Sequence, residues 1–174
     1  EFCQLQLNYI DGTVQDDAKK VKMLSELGIP VWVMEPLRGG RLARLSEKEL
    51  APLRAMRPDE TAPGWAFRFL QSMPEVVVTL SGMSDMAQMQ ANIATFEDDK
   101  PLTDAEMENL LRMAGDMLGH TLPCTACHYC VSHCPQGLDI PGLLALYNEH
   151  SFTGGGFIAP MALAAVPADK QPSA

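Results

Sequence analysis

The sequence predicts an α/β fold built around a parallel sheet, on three observations. Three short apolar segments, residues 2–10, 29–36 and 75–82, are separated by longer stretches whose apolar residues recur at helical spacing. The second and third segments are apolar almost throughout, which is typical of parallel strands covered by helices. Strands joined by helices pair in parallel through right-handed crossovers. The predicted order is β-α-β-α-α-β-α-α, and because three parallel strands cannot close a barrel, we expect them to belong to a larger domain.

The first strand is predicted by an alternation of apolar and amide side chains. One face carries Cys3, Leu5 and Leu7, and the other carries Gln4, Gln6 and Asn8. A period of two is typical of a strand with one face buried. We therefore expect the apolar face to pack under a helix, with Cys3 as a small buried hydrophobic residue.

The helices are predicted by the spacing of apolar residues and by capping signals. The pairs Ser46 and Glu49, and Thr103 and Glu106, are capping boxes, and Ser84 is expected to start the helix that follows the third strand. Six helices are predicted, in residues 13–28, 46–56, 63–73, 84–96, 103–118 and 139–150.

Composition excludes several classes of partner. The chain has 13 basic and 22 acidic residues, and its net charge of -9 would repel a nucleic acid backbone. No apolar run reaches the roughly 18 to 20 residues that a membrane span needs. Five cysteines, four of them crowded together, without a secretory signal fit a reducing cytoplasm. We expect a cytoplasmic protein with neither nucleic acid nor membrane as a partner. Because the chain begins with Glu1, we also expect its N-terminal part to be missing.

Four cysteines form the strongest motif of the sequence. The segment "CTACHYCVSHCP" has the spacing C-x2-C-x2-C-x3-C-P, which is the run found in bacterial iron–sulfur proteins. It predicts a 4Fe-4S cluster with Cys124, Cys127, Cys130 and Cys134 as ligands. A structural zinc site with His128 or His133 is the alternative, although such sites usually combine two C-x2-C pairs a dozen or more residues apart.

A second constellation predicts an anion site. Arg38, Arg41 and Arg44 surround the turn Gly39-Gly40, and the third strand runs into a helix start with Gly82 and Ser84. Free N–H groups at a helix start favour phosphate. The alternative is that Arg41 and Arg44 pair with Glu47 and Glu49 and bind no ligand.

The segments "FCQLQLNYI", "GIPVWVMEPLRGGRLA", "VVVTLSGMSDMAQMQANI" and "CTACHYCVSHCPQGLDIP" together resemble the iron–sulfur branch of the aldo/keto reductase superfamily. The resemblance covers nearly the whole chain. It implies the C-terminal portion of a (β/α)8 TIM barrel, strands six to eight with their helices, followed by a small, mostly helical ferredoxin-like iron–sulfur segment. The implied divisions are a barrel part in residues 1–98, a connecting helix in 99–121, the 4Fe-4S segment in 122–150, and a loop or linker in 151–174.

The resemblance also implies a nicotinamide dinucleotide site for NADH or NADPH. Gln4 corresponds to the glutamine that binds the nicotinamide carboxamide, and Asn92 to an asparagine that contacts adenine. Arg38 is expected to face the pyrophosphate. The remaining implied contacts follow the second and third strands and are Leu37, Gly39, Gly40, Gly82, Met83, Ser84 and Gln88.

The sequence departs from the family pattern at two of these places. Met34 stands where many relatives stack an aromatic ring on the nicotinamide, and Gln88 stands where NADP-preferring members often have an arginine. The family's catalytic Asp, Tyr, Lys and His lie on strands one to four. No residue of this chain matches them, so the resemblance implies that this chain alone does not carry out hydride chemistry.

Three functions remain open. In the first, the intact protein is an oxidoreductase that couples a nicotinamide site to electron transfer through the cluster, with a small carbonyl substrate or a redox protein as partner. In the second, the barrel is a non-catalytic scaffold that carries an electron-transfer or docking module. In the third, the chain is a zinc-stabilised binding protein. Because the fourth cysteine of such a run ligates the other cluster in two-cluster ferredoxins, we further expect residues 151–174 to lead toward a second cluster motif.

Overall fold

The protein is described by a computed structural model that covers residues 1–11, 17–119, 121–122, 124, 128–152 and 158–167. The chain divides into two compact units, Glu1–Gly115 and Asp116–Ala174. None of the helices in these ranges is long and apolar enough to cross a membrane.

The first unit is built on a parallel sheet of three strands, as the sequence predicts, and the strands lie in the order β1-β2-β3. The strands are β1 (Cys3–Gln6), β2 (Val31–Met34) and β3 (Val76–Thr79). Helix α1 follows β1, the 3-10 helix Arg41–Ala43 with α2 and α3 follows β2, and α4 with α5 follows β3. Their bounds are α1 Asp17–Glu26, α2 Glu47–Arg54, α3 Ala62–Gln71, α4 Met86–Glu97 and α5 Asp104–Leu118.

The register of β1 and β2 gives the sheet two different faces. Leu5 pairs with Val33, and Gln6 pairs with Met34. Val33 is fully buried, whereas Gln6 and Met34 are exposed. The predicted alternation is therefore confirmed within β1, although Cys3 is only half-buried. It is wrong beyond the strand, because β1 ends at Gln6 and the turn that follows buries Asn8 completely.

Helix α3 forms the centre of the core. Its residues Trp65, Phe67 and Leu70 are all buried, and the ring of Phe69 meets that of Tyr9 edge-on at 6.3 Å between centroids. The helix begins after Thr61, whose side chain accepts a hydrogen bond from the N–H of Gly64 at 3.0 Å. A helix that is apolar on most sides is stable only where it is covered, which places α3 inside the unit.

Two predicted helix starts are confirmed and one is corrected. Ser46 and Glu49 form a capping box at α2, and the Thr103 hydroxyl accepts from the N–H of Glu106 at α5. Helix α4 begins one residue later than expected: its N-cap is Asp85, which accepts from the N–H of Gln88 at 2.8 Å. A carboxylate is at least as good an N-cap as a hydroxyl, so Ser84 lies just outside the helix.

Helix α4 exposes an apolar stripe. None of its residues is buried. Four large apolar side chains at helical spacing face solvent within this unit, namely Met86, Met89, Ile93 and Phe96. An apolar stripe of this kind is usual on a helix face that packs against other structure.

In the residues that the structure describes, the second unit has the helices α6 (Tyr129–Ser132), α7 (Ile140–Phe152) and α8 (Ile158–Ala164). Helix α7 matches the predicted helix, and the side chain of Asn148 holds the backbone of Leu122 through two hydrogen bonds of 2.7 and 2.8 Å. Helix α8 lies in the segment expected to be a loop. Its alanine, methionine and leucine favour a helix, and its one proline falls in the first turn, where it is tolerated.

Candidate functional site

One cavity of about 950 Å³ lies in the first unit, between the loops that follow β2 and β3. Its walls come from the loop after β2, the loop after β3, Thr61 and Pro63 at the start of α3, and a side of α4 other than its apolar stripe, namely Ala87, Gln88, Ala91, Asn92 and Thr95. The carboxyl ends of parallel strands are the usual place for a ligand in α/β proteins. Eight of the ten predicted dinucleotide-binding residues line it: Leu37, Gly39, Gly40, Gly82, Met83, Ser84, Gln88 and Asn92.

The loop after β2 is wound by an unusual number of left-handed residues. Glu35, Arg38, Gly39 and Gly40 have φ of 55°, 46°, 60° and 83°. The two glycines adopt this conformation without steric cost, whereas it is uncommon for a glutamate or an arginine. The carboxylate of Glu35 accepts a hydrogen bond from the N–H of Gly39, and the N–H of Arg38 donates to the carbonyl of Glu35 at 3.1 Å. These bonds hold the glycine turn close to the cavity.

A buried polar network behind this loop was not predicted from the sequence. The amide nitrogen of Asn8 donates to Asp11 Oδ2 at 2.8 Å and to the carbonyl of Glu35 at 3.0 Å, while its oxygen accepts from the N–H groups of Ile10 and Asp11. Gln6 donates to the same Asp11 oxygen at 2.8 Å. Asn8 therefore connects the end of β1 to the end of β2. Its signal in the sequence is weak: two polar residues, Asn8 and Asp11, stand among apolar residues shortly after β1.

The three arginines of this loop have different surroundings. Arg38 faces Asp11, with Nε 3.7 Å from Oδ1, and it is not among the residues that line the cavity. Arg41 pairs with Glu49 at 3.0 Å. The alternative prediction, in which Arg41 and Arg44 pair with glutamates and bind no ligand, therefore holds for Arg41. Arg44 lines the cavity, and it forms no ion pair with any carboxylate in the part of the chain that the structure describes. Glu47 pairs instead with Arg54 at 2.6 Å.

Burial, hydrogen bonds and the charge of Arg41 together shift the pKa values of Glu49 and Tyr9. Burial alone would raise the pKa of Glu49, but hydrogen bonds from Ser46 and the charge of Arg41 outweigh it, and the pKa is lowered. Burial raises the pKa of Tyr9 far above its ordinary value, although Arg41 opposes the shift. Arg41 and Glu49 thus remain a charged pair, and the Tyr9 phenol remains neutral.

The opposite wall is ordered by side chains of α4. Gln88 accepts a hydrogen bond from the N–H of Ser84 at 2.8 Å, and Asn92 donates to the hydroxyl of Ser81 at 3.3 Å. Both predicted contacts on the helix are therefore tied to the loop after β3. A ligand that enters here meets a wall of amides and hydroxyls.

Gln4, the last of the predicted contacts, does not line the cavity but adjoins it. Its amide nitrogen lies 3.2 Å from the sulfur of Met34, which does line the cavity. Both side chains lie on the exposed face of the sheet. Gln4 matches the family at the nicotinamide end of the ligand, and Met34 departs from it there. The structure brings these two side chains into contact.

The cysteine segment is described in part. Cys124 and Cys130 are exposed, Cys134 is half-buried, and Cys127 lies outside the described residues. The sulfur of Cys134 accepts a hydrogen bond from the N–H of Leu138 at 3.5 Å. N–H groups directed at sulfur are part of what tunes iron–sulfur ligands. In the described part of the segment, the donor chemistry therefore fits an iron–sulfur cluster.

The described residues of the cysteine segment do not themselves assemble a metal centre. In the described parts of the chain, no group of three or more His, Cys, Asp or Glu side chains is placed to hold a metal ion. The histidine alternative is also constrained, because His133 Nδ1 lies 2.8 Å from the carbonyl of Tyr129 and 3.1 Å from the hydroxyl of Ser132. His128 has a left-handed backbone, with φ of 61°, and caps α6.

Comparison with solved structures identifies the fold. The chain is similar to aldo-keto reductase AKR11C1 from Bacillus halodurans, in both the apo and holo forms, with a TM-score of 0.50 and 23% sequence identity. The match covers 63% of this chain and 42% of the apo chain or 41% of the holo chain. This chain thus spans about two fifths of that protein's length. No protein-family model matches the sequence, and no curated protein does. The α/β unit with its parallel sheet is similar to part of an aldo-keto reductase fold.

Proposed function

We propose that the protein is an oxidoreductase of the aldo/keto reductase type, which binds a nicotinamide dinucleotide in the cavity beyond β2 and β3 and carries a 4Fe-4S cluster on its cysteine segment. The observation that carries the first part is the convergence of eight predicted contacts on one cavity of about 950 Å³. These residues come from two stretches of sequence, 37–40 and 82–92, that lie far apart in the chain. Their meeting at the carboxyl ends of parallel strands is the arrangement expected of a dinucleotide site.

The residues of the cavity supply binding rather than bond-breaking chemistry. Gly39 and Gly40 let the backbone approach a pyrophosphate closely, because neither carries a side chain. The hydroxyl of Ser84 and the amide of Asn92 provide neutral hydrogen bonds toward the adenosine end. We assign the carboxamide to Gln4, which contacts Met34 at the edge of the cavity. A bound nicotinamide would supply hydride transfer, and we assign no catalytic residue in this chain.

The cluster is proposed on the cysteine spacing, with Cys124, Cys127, Cys130 and Cys134 as ligands. The exposed thiols of Cys124 and Cys130 and the N–H···S bond to Cys134 support it. When bound, the cluster would supply one-electron transfer. The protein's own contribution is to fix the sulfurs and to place donors beside them.

The wider assignment follows from these two sites. We propose a small carbonyl compound as substrate or a redox protein as electron partner, and the cytoplasm as location. We retain the proposed divisions, with a barrel part in residues 1–98, a connecting helix in 99–121, a cluster segment in 122–150 and a linker in 151–174. The scaffold alternative keeps the cluster but removes hydride chemistry from the barrel, whereas a zinc-stabilised binding protein would lack both redox functions.

Dinucleotide binding tests the first part of the proposal. Calorimetric titration with NADH and NADPH is expected to give saturable binding that Asn92→Leu weakens, because an amide that lines the cavity is lost. Gln90→Leu is the matched control, since Gln90 is exposed on the same helix and does not line the cavity. Saturable binding of neither dinucleotide would refute the nicotinamide site and favour the scaffold.

Metal analysis tests the second part. Protein prepared without oxygen is expected to be brown and to contain iron and acid-labile sulfide. A colourless protein with stoichiometric zinc and no iron would establish the zinc alternative instead.

A further inference from the structure

Arg44 differs from the two other arginines of the loop after β2. The guanidinium of Arg38 faces Asp11, and that of Arg41 is held by Glu49. Arg44 has no such carboxylate in the described parts of the chain, although acidic residues outnumber basic ones by 22 to 13. A cation without a counter-ion beside a cavity is available to an anionic ligand.

The cavity itself has few charges. Among its lining residues in the described parts of the chain, Arg44 is the only cation and Glu35 the only anion. One oxygen of the Glu35 carboxylate accepts from the N–H of Gly39, so this anion is bound to the loop itself. The other lining groups are apolar or neutral. Recognition of a negative charge in this cavity therefore depends on one guanidinium together with backbone and hydroxyl donors.

The backbone that carries Arg44 is fixed by its neighbours. The N–H of Arg44 donates to the carbonyl of Arg41 at 3.1 Å, and the Arg41 guanidinium donates to the carbonyl of Arg44 at 3.2 Å. Because Glu49 holds Arg41 in turn, α2 anchors this segment. The side chain of Arg44 is exposed and lines the cavity.

We infer that Arg44 binds a phosphate group of the ligand that occupies the cavity. The inference rests on the proposed dinucleotide site and adds the side chain that recognises its charge. A guanidinium binds phosphate through charge-assisted, often bidentate hydrogen bonds. The phosphate is either the pyrophosphate, which NADH and NADPH share, or the 2'-phosphate, which NADPH alone carries. If Arg44 binds the 2'-phosphate, it would supply the positive charge that Gln88 lacks where NADP-preferring relatives often have an arginine.

The test compares Arg44→Ala and Arg44→Lys with the wild-type chain by calorimetric titration with NADH and NADPH. Arg44→Ala is expected to weaken binding by about tenfold to a hundredfold, the range for a charge-assisted hydrogen bond. Arg44→Lys is expected to restore part of it, because it keeps the charge but not the bidentate geometry. Arg54→Ala is the control, since Arg54 is exposed, pairs with Glu47 and does not line the cavity. Thermal melting shows whether each variant is folded at the temperature of the titration. If Arg44→Ala is not, the comparison of Arg44→Lys with the wild-type chain tests the inference.

The pattern across the two dinucleotides identifies the phosphate. Equal losses for NADH and NADPH support the inference and assign Arg44 to the pyrophosphate, whereas a loss confined to NADPH supports it and assigns the 2'-phosphate. Unchanged binding of both dinucleotides by folded Arg44 variants would overturn the inference and leave the dinucleotide site standing. Failure of the wild-type chain to bind either would overturn both.

Discussion

Arg57 and Glu106 form a two-point ion pair between residues 49 apart in the sequence. Nε lies 2.6 Å from Oε1, and Nη2 lies 2.7 Å from Oε2. Glu106 also accepts from the N–H and the hydroxyl of Thr103, at 2.8 and 2.9 Å. One carboxylate thus caps α5 and ties the start of that helix to the segment after α2. The hydrogen bonds from Arg57 lower the pKa of Glu106 to about 2, although burial opposes the shift.

This pair predicts a dependence of stability on pH. Because the pKa of Glu106 is lower in the folded chain, its contribution is fully present above the ordinary value of 4.5 and is lost as the pH falls toward 2. We expect Glu106→Gln to lower the free energy of unfolding by about 2 to 3 kcal/mol at pH 7, and by much less near pH 2. Urea unfolding at both pH values measures the difference. Glu108→Gln, an exposed change on the same helix, serves as control, and an effect of Glu106→Gln that does not shrink in acid would contradict this account.

Replacing Asn8 tests the connection between β1 and β2. Asn8→Leu removes four buried hydrogen bonds, those to the Asp11 carboxylate, to the carbonyl of Glu35 and from the N–H groups of Ile10 and Asp11. We expect a loss of about 2 to 4 kcal/mol in the free energy of unfolding, measured by urea denaturation. Gln4→Leu, on the exposed face of the same segment, is expected to change stability by less than about 0.5 kcal/mol. Equal effects of the two substitutions would show that the network is not structural.

The two glycine positions of the cavity provide a matched pair. A Cβ added to Gly40 or Gly82 would meet nothing within 4 Å, but only Gly40 has a left-handed backbone, with φ of 83°. We expect Gly40→Ala to cost about 1 to 2 kcal/mol in backbone strain, and Gly82→Ala to cost little. Melting temperatures measure the stability. If dinucleotide binds as proposed, Gly40→Ala is also expected to weaken it more than Gly82→Ala does.

The cysteine segment predicts a spectroscopic difference between cysteines. Reconstituted anaerobically, the chain is expected to absorb broadly near ~400 nm through sulfur-to-iron charge transfer. Cys130→Ser is expected to bleach most of this band, because a serine oxygen is a poor donor to iron–sulfur sites. Cys3→Ser is the control, since Cys3 lies on β1 in the first unit. A band that survives Cys130→Ser but is lost with Cys3→Ser would refute the ligand assignment.

Local patterns in the sequence are sufficient to predict the three strands of the sheet and most of the helices. The alternation in β1, the capping boxes at Ser46 and Thr103, and the apolar runs of β2 and β3 each depend on neighbouring residues alone. The start of α4 was misplaced because Ser84 and Asp85 are both good caps, and only the backbone decides between them. The helix in residues 158–164 was missed because the glycines and prolines around it outweighed its own propensity.

The residues that line the cavity could be predicted from the sequence. The ion-pair partners of the arginines could not, because they depend on contacts between distant segments. The residues of the cavity came from the family resemblance, and the structure brings most of them together. Arg38 faces Asp11, in the segment after β1, whereas Arg44 lines the cavity together with residues that follow β3. Neither can be read from spacing, because each depends on a contact between segments far apart in the chain.

The strand order β1-β2-β3 has a consequence for how the chain behaves in a concentrated solution. Within the described residues, β1 and β3 each pair on one side only, so each presents a row of unpaired N–H and C=O groups. Beside the β3 edge, Val77 is 58% exposed, and the four strand residues of β3 carry no charge and no proline to deter strand addition. Expressed by itself, this polypeptide is expected to self-associate edge to edge, and a single lysine in place of Val77 should be the smallest change that keeps it dispersed.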